Sequence, residues 1–154
     1  MKLYLIQHGE ATTEEMDPSR PLTAQGRSDV QKLASFLWEV AAGPFAILHS
    51  GKTRARQTAE IIAAQLSPIC QHKERDGLAP NDPVGPLAEE ISVMADDLMI
   101  VGHMPFLGKL ASILLVGSES KNLVAFRQGG VVCLHRNENQ TWQVAWMVTP
   151  QLLE

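Results

Sequence analysis

Leu3-Tyr4-Leu5-Ile6-Gln7-His8-Gly9 is the stretch of sequence that decides the fold of this chain. Four consecutive apolar residues predict a buried strand, and a buried strand holds whatever follows its carboxyl end rigidly. The run Leu98-Met99-Ile100-Val101-Gly102 repeats this pattern and leads into His103. In open α/β sheets, ligands bind outside the carboxyl ends of the strands. Two histidines at two strand ends therefore indicate a site rather than packing alone.

The remaining apolar patterns alternate between strand and helix. They predict strands at Leu3–Gln7, Phe45–His49 and Leu98–Gly102 and a short strand at Pro68–Lys73. The first helix is predicted to begin after its cap Thr23 and to end at Gly43-Pro44, and further helices are predicted at Thr53–Leu66, Leu87–Ala95 and Pro105–Val116. Near the end of the sequence, Gly130–Arg136 and Thr141–Thr149 are predicted to form a hairpin. Strands alternating with helices and then a hairpin predict a three-layer α/β/α sandwich, with a mostly parallel sheet and an antiparallel edge hairpin. Alternation along the hairpin predicts that Trp142 and Trp146 share one face.

Composition and charge narrow the class of protein. The 154 residues are 45% hydrophobic and 19% charged, which is typical of one globular domain spanning 1–154. The net charge of −4 disfavours a nucleic-acid partner. No apolar run reaches membrane-spanning length, and the first residues are too soon polar for a signal peptide, so we expect a cytoplasmic location. The two cysteines lack metal-ligand or disulfide-scaffold spacing, and we expect no metal and no cofactor.

Cations accompany the two histidines at the predicted strand ends. His8, Arg20, Arg54 and His103 lie in segments that follow strands, and such segments converge on one edge of a parallel sheet. Two imidazoles and two arginines describe an anion pocket, and the planar fork of arginine suits phosphate. The start of the second helix would add backbone N–H groups and the positive end of its dipole. Gly9 is expected to let the backbone turn and a ligand approach.

The motifs resemble those of the histidine phosphatase (phosphoglycerate mutase-like) superfamily. Gln7-His8-Gly9 is similar to its Arg-His-Gly signature, Arg20-Pro21-Leu22-Thr23 with Gly26 to its next block, Ser50 with Arg54-Ala55-Arg56-Gln57-Thr58-Ala59 to its third, and Gly102-His103-Met104-Pro105 to its second histidine block. The blocks follow the family's order. The compact length and the Gly-His-x-Pro block most resemble the SixA-type phosphohistidine phosphatases.

The resemblance implies a metal-independent phosphatase with that family's fold. His8 would attack phosphorus and form a phosphohistidine that water hydrolyses, while Arg20, Arg54 and His103 hold the phosphoryl oxygens. Arg56, on another face of the helix, is expected to be a solvated charge.

One position departs from the family, which has arginine where this chain has Gln7. Glutamine donates only neutral hydrogen bonds, and losing one charge-assisted bond is expected to lower activity about ten- to a hundredfold. Lys52 is a candidate for supplying the missing charge.

The general acid and the substrate remain open at this stage. Asp82 is the candidate acid, and Glu10 and Asp17 are its rivals. The short loop 75–86 predicts a shallow site, which favours a phosphohistidine on the surface of a partner protein. The alternatives are a small-molecule phosphomonoesterase acting on phosphate esters, and a phosphate-binding pseudoenzyme weakened by Gln7. The sequence does not indicate an oligomeric state.

Overall fold

A computed structural model describes residues 1–42, 45–66 and 70–154. In chain order its elements are β1 (Lys2–Gln7), α1 (Ala24–Val40), β2 (Phe45–His49), α2 (Thr53–Leu66), β3 (Cys70–Glu74), α3 (Gly85–Ser92), β4 (Leu98–Gly102), α4 (Phe106–Val116), β5 (Val131–Arg136), β6 (Trp142–Val148) and a 3-10 turn at Pro150–Leu152.

The strands form one mixed sheet in the order β3-β2-β4-β1-β5-β6. β3, β2, β4 and β1 are parallel, whereas β5 pairs antiparallel with both β1 and β6. The predicted parallel sheet with an antiparallel edge hairpin is thus confirmed. β1 and β4 are neighbours, with Gln7 opposite Gly102, so the two predicted histidine-bearing ends lie side by side.

Two apolar cores lie on opposite faces of this sheet and make the three layers. Tyr4 and Ile6 face α1 and α2, whereas Leu3 and Leu5 face α3 and α4. All four side chains are fully buried. Because the strands are covered on both faces, they read as continuous apolar runs in the sequence.

Several predicted boundaries shift by a few residues. Thr23 caps α1 as predicted, and its hydroxyl accepts the Gly26 N–H at 3.0 Å. The third helix is predicted at Leu87–Ala95 and spans Gly85–Ser92. It begins earlier because Pro86 fits the first turn of a helix. It also ends earlier, because the chain turns after Ser92 on its way to β4. The proposed helix stop at Gly43-Pro44 and the start of the third strand at Pro68 lie outside the described residues.

The prediction that the two hairpin tryptophans share a face is wrong. Cys133 pairs with Trp146 but Leu134 pairs with Val144, so one residue is inserted into β6 between these pairs. Such a bulge reverses the alternation of side chains. Trp146 therefore packs on the α1 and α2 side against Tyr4, while Trp142 joins the opposite core.

In the part of the chain that the structure describes, no helix combines the length and the hydropathy needed to span a membrane.

Candidate active site

The carboxyl ends of three adjacent strands form the candidate site. His8 follows β1, Ser50 follows β2 and His103 follows β4. The His8 N–H donates to the Gly102 carbonyl at 3.1 Å, which ties the first strand end to the residue before His103. The two imidazole rings lie with their centroids 5.1 Å apart. The predicted meeting of the two histidines is therefore present.

The ring of His8 is held in one orientation. Its Nδ1 lies 2.7 Å from the Gly9 carbonyl oxygen, a contact in which only an Nδ1–H can donate. The proton is thereby assigned to Nδ1, and the lone pair belongs to Nε2, which accepts from Arg54 Nε at 3.3 Å. Burial and, to a smaller extent, the charges of Arg54 and Arg20 together lower the pKa of His8 from its ordinary 6.5 to about 4, against the opposing effect of the Gly9 carbonyl. His8 is neutral at cellular pH.

His103 is also buried and neutral. Burial first, and then the charges of His8, Arg54, Lys52 and Arg20, lower its pKa from 6.5 to about 3. Its Nε2 lies 2.6 Å from Ser50 Oγ. Its Nδ1 is buried without a hydrogen-bond partner among the described residues. An unpaired buried nitrogen costs about 1–3 kcal/mol, and native proteins keep such groups mainly where function needs them.

Two arginines reach the histidines from different elements. Arg54 lies in the first turn of α2, where burial and the charge of Arg20 lower its pKa. Arg20 has a left-handed backbone with φ of 48°, and its Nε donates to the Thr12 carbonyl at 3.1 Å. Neither guanidinium forms an ion pair with a carboxylate of the described residues. Both charges thus remain available to an anion. Glu14, which the sequence reasoning passed over, is the carboxylate whose charge opposes the shift of Arg54.

Thr58 connects the first histidine segment to the arginine, and sequence reasoning did not single it out. The side chain is fully buried, and its hydroxyl accepts the Gly9 N–H at 3.1 Å and donates to the Arg54 carbonyl at 2.8 Å. The sequence does carry a sign of this role, because Thr58 is a polar residue on the apolar face of the helix, four positions after Arg54. The neighbouring Gln57 accepts the Leu22 N–H at 2.8 Å and fixes the segment that carries Arg20.

The backbone at Gly9 lies close against α1. A Cβ at this position would lie 2.8 Å from Val30 Cγ2 and 3.0 Å from the Gly26 carbonyl oxygen, so the glycine allows α1 to pack closely. Its φ is not positive. Its N–H is already bound to Thr58. Packing and hydrogen bonding therefore account for this glycine without a ligand.

Gln7 and Lys52 differ in what they bring to the site. The Gln7 side chain is half-buried and makes no hydrogen bond within the described residues. Lys52 is exposed, and its charge acts on the pKa of His103. Arg56 lies away from the histidines, as expected, because its half-exposed guanidinium pairs with Glu60 at 2.8 Å.

Each of the three candidate acids accepts a hydrogen bond from a residue other than the two histidines. Asp82 Oδ2 accepts the Ala79 N–H at 2.9 Å. Glu10 Oε1 accepts from the Thr23 hydroxyl at 2.8 Å, and Asp17 Oδ1 accepts from Ser19. None of the three is among the charges that shift the described histidines His8 and His103.

The residues that the structure describes contain no group of three or more histidine, cysteine or carboxylate side chains arranged to hold a metal ion. The site is instead a set of cations and neutral imidazoles. Such a set can bind a tetrahedral oxyanion and offer one imidazole nitrogen to it.

Sequence comparison identifies relatives of this chain. The family model of the histidine phosphatase superfamily (branch 1) matches residues 3–80. An uncharacterized protein of Picosynechococcus is 34% identical over 142 residues, covering 87% of this chain and 84% of the relative. The phosphohistidine phosphatase SixA of Escherichia coli is 24% identical over 155 residues, covering 97% of this chain and 94% of the relative.

Solved structures share the fold. The protein histidine phosphatase SixA complexed with tungstate superposes with a TM-score of 0.86 at 21% identity, covering 99% of both chains. A mycobacterial glucosyl-3-phosphoglycerate phosphatase gives a TM-score of 0.71 at 15% identity, covering 94% of this chain and 97% of that chain. The family model matches the chain, its sequence blocks follow the family's order, and two histidines lie at adjacent strand ends. This chain therefore belongs to the histidine phosphatase superfamily.

Proposed function

We propose that this protein is a metal-independent phosphatase that hydrolyses phosphoryl groups through a phosphohistidine on His8. One observation carries the proposal. The Nδ1–H of His8 is bound to the Gly9 carbonyl, so the Nε2 lone pair points to the side where Arg54 Nε lies, 3.3 Å away. A neutral imidazole with its lone pair beside a guanidinium has what an attacking nucleophile needs to meet a phosphate.

The reaction takes two displacements at phosphorus. In the first, the Nε2 lone pair of His8 forms the N–P bond while the bond from phosphorus to the leaving group breaks and the electron pair departs with that group. In the second, a water oxygen attacks phosphorus, the N–P bond breaks, and its electron pair returns to Nε2. One water is consumed, and inorganic phosphate is released.

Each surrounding group has a defined task in this scheme. Phosphorylation of Nε2 gives the imidazole a positive charge, which the Gly9 carbonyl stabilises through the Nδ1–H bond. Arg54 and Arg20 offset the charge on the equatorial oxygens, and His103 contacts them from the facing ring. The pKa of about 4 keeps His8 unprotonated and ready for attack across the physiological range.

We infer that the substrate is a phosphohistidine on a partner protein. The SixA relative bears the name phosphohistidine phosphatase and matches 97% of this chain. Asp82, Glu10 and Asp17 each accept a hydrogen bond from a residue other than the two histidines, and none of them is among the charges that shift the pKa values of His8 and His103. An imidazole leaving group needs less protonation than an alkoxide. A phosphohistidine therefore depends less on an acid at this site than a phosphate monoester would.

The experiment compares a phosphoramidate or phosphohistidine peptide with an aryl phosphate as substrates. Wild type is expected to prefer the phosphoramidate, and His8→Ala is expected to lose turnover of both. His135→Ala, which removes an exposed histidine on β5, is the matched control and should retain wild-type rates. A preference for the aryl phosphate would favour the phosphomonoesterase alternative. Phosphate binding without any turnover would favour the pseudoenzyme.

A further inference from the structure

The turn between β2 and α2, which we call the Ser50–Lys52 turn, is held by side chains rather than by solvent. His49 Nδ1 accepts the Gly51 N–H at 3.1 Å. Ser50 Oγ accepts the Lys52 N–H at 3.3 Å. Two successive N–H groups thus point inward onto polar side chains, which fixes the direction in which the chain enters α2.

Gly51 is the residue that makes this turn possible. Its φ is +85°, a left-handed conformation that side chains disfavour. A Cβ there would lie 2.2 Å from Glu74 Oε1, so another residue would be strained and crowded. The Lys52 backbone is therefore placed by the fold, even though its side chain is exposed.

The same turn contacts the second histidine. Ser50 Oγ lies 2.6 Å from His103 Nε2 and accepts from the Lys52 N–H, so only one side chain separates the lysine backbone from the imidazole. Lys52 also contributes, with His8 and Arg54, to lowering the pKa of His103. No carboxylate of the described residues forms an ion pair with the Lys52 ammonium. Its charge acts on the imidazole of His103 and is not engaged in an ion pair among the described residues.

Position 7, by contrast, brings no charge to the site. Gln7, at the end of β1, is half-buried and makes no side-chain hydrogen bond within the part of the chain described. We propose that Lys52 supplies the third cation that binds the phosphoryl group at His8 and His103, in place of a cation at position 7. This inference rests on the proposed function and names a further substrate-binding residue for it. A lysine is a point charge on a flexible stem, so it can neutralise an oxyanion from the α2 side without the fixed geometry of a fork.

The test measures anion affinity separately from turnover. Orthovanadate and inorganic phosphate are titrated calorimetrically into wild type, Lys52→Met, Lys52→Arg and Arg56→Gln. Arg56→Gln is the matched control, since it removes one positive charge from the same helix region at a residue that is paired with Glu60. Lys52→Met is expected to weaken both anions about three- to tenfold, as for the loss of one partly exposed charge contact. Lys52→Arg should retain most of the affinity, and Arg56→Gln should match wild type.

A double-mutant cycle with Gln7→Arg tests the replacement itself. If Lys52 does the work of a missing cation, the loss caused by Lys52→Met should shrink to roughly twofold or less once Gln7→Arg is present. Equal losses in both backgrounds, or the same affinity for Lys52→Met and Arg56→Gln, would overturn the inference. Vanadate binding does not require a phosphohistidine, so a failed His8 assay with a positive Lys52 result would reject only the proposed function.

Discussion

Thr58→Val is the substitution that tests most sharply whether the two halves of the site are built as one unit. Valine matches threonine in shape but can neither accept the Gly9 N–H nor donate to the Arg54 carbonyl. Thr58 is fully buried, so water cannot replace either partner. Leaving a buried donor unpaired costs about 1–3 kcal/mol. For a chain of 154 residues we expect Tm to fall by about 2 to 12 °C.

The loss of activity in Thr58→Val should be larger than the loss that the lower stability alone would cause. Thr58 holds the segment after His8 against the turn that carries Arg54, so its loss loosens the contact between His8 Nε2 and Arg54 Nε. We expect kcat to fall about tenfold or more at a temperature where the variant is folded, with a smaller change in KM. Thr58→Ser keeps the hydroxyl and is the control, with near wild-type kcat. Wild-type kcat in Thr58→Val would refute the idea that this threonine aligns nucleophile and arginine.

Three further predictions concern charge and protonation. Gln7→Arg should raise kcat/KM about ten- to a hundredfold in the Lys52→Met background and by less in wild type, where Lys52 replaces the missing charge, and the gain should shrink in high salt. An unchanged or lower kcat/KM in the Lys52→Met background would mean that the neutral side chain suits the substrate. Because the pKa of His8 falls from 6.5 to about 4 on folding, the unfolded chain binds more protons between these values, and stability should decline as the pH drops from about 6.5 to about 4. In urea titrations between these pH values, the free energy of unfolding of His8→Gln should fall by about 3 kcal/mol less than that of wild type. The same pH dependence of stability in both proteins would contradict the assigned pKa of His8. Prolonged chelator treatment should leave turnover intact, since arginines already offset the phosphate charge, and recovery only on adding Mg²⁺ or Zn²⁺ would refute the metal-independent scheme.

The parts of the fold that follow from continuous apolar runs could be predicted from the sequence. β2, α2 and β4 have the predicted boundaries because each begins and ends where the apolar pattern does. The convergence of His8 and His103 followed from the rule that parallel strands present their carboxyl ends together. The bulge beside Trp146 could not be predicted, because alternation carries no sign of an inserted residue.

The site residues that sequence reasoning missed act through the backbone. Thr58 enters the sequence prediction only as part of a motif, because its partners are a backbone N–H and a backbone carbonyl, and the sequence does not show which backbone groups a threonine binds. The close packing of Gly9 on α1 depends on how two elements approach in space, so the sequence alone did not show it. The position of Lys52 beside Ser50 and His103 depends on the left-handed backbone of Gly51, and the sequence does not show that conformation.

In the proposed mechanism His8 carries the phosphoryl group during turnover. To test this directly, wild type is mixed with a ³²P-labelled phosphohistidine substrate, quenched within milliseconds in alkali, digested and mapped by mass spectrometry. We expect an acid-labile, alkali-stable phosphate on the peptide containing His8, absent from His8→Ala and present at wild-type levels in His135→Ala. Full turnover with no label on His8, or label on His103 instead, would contradict it.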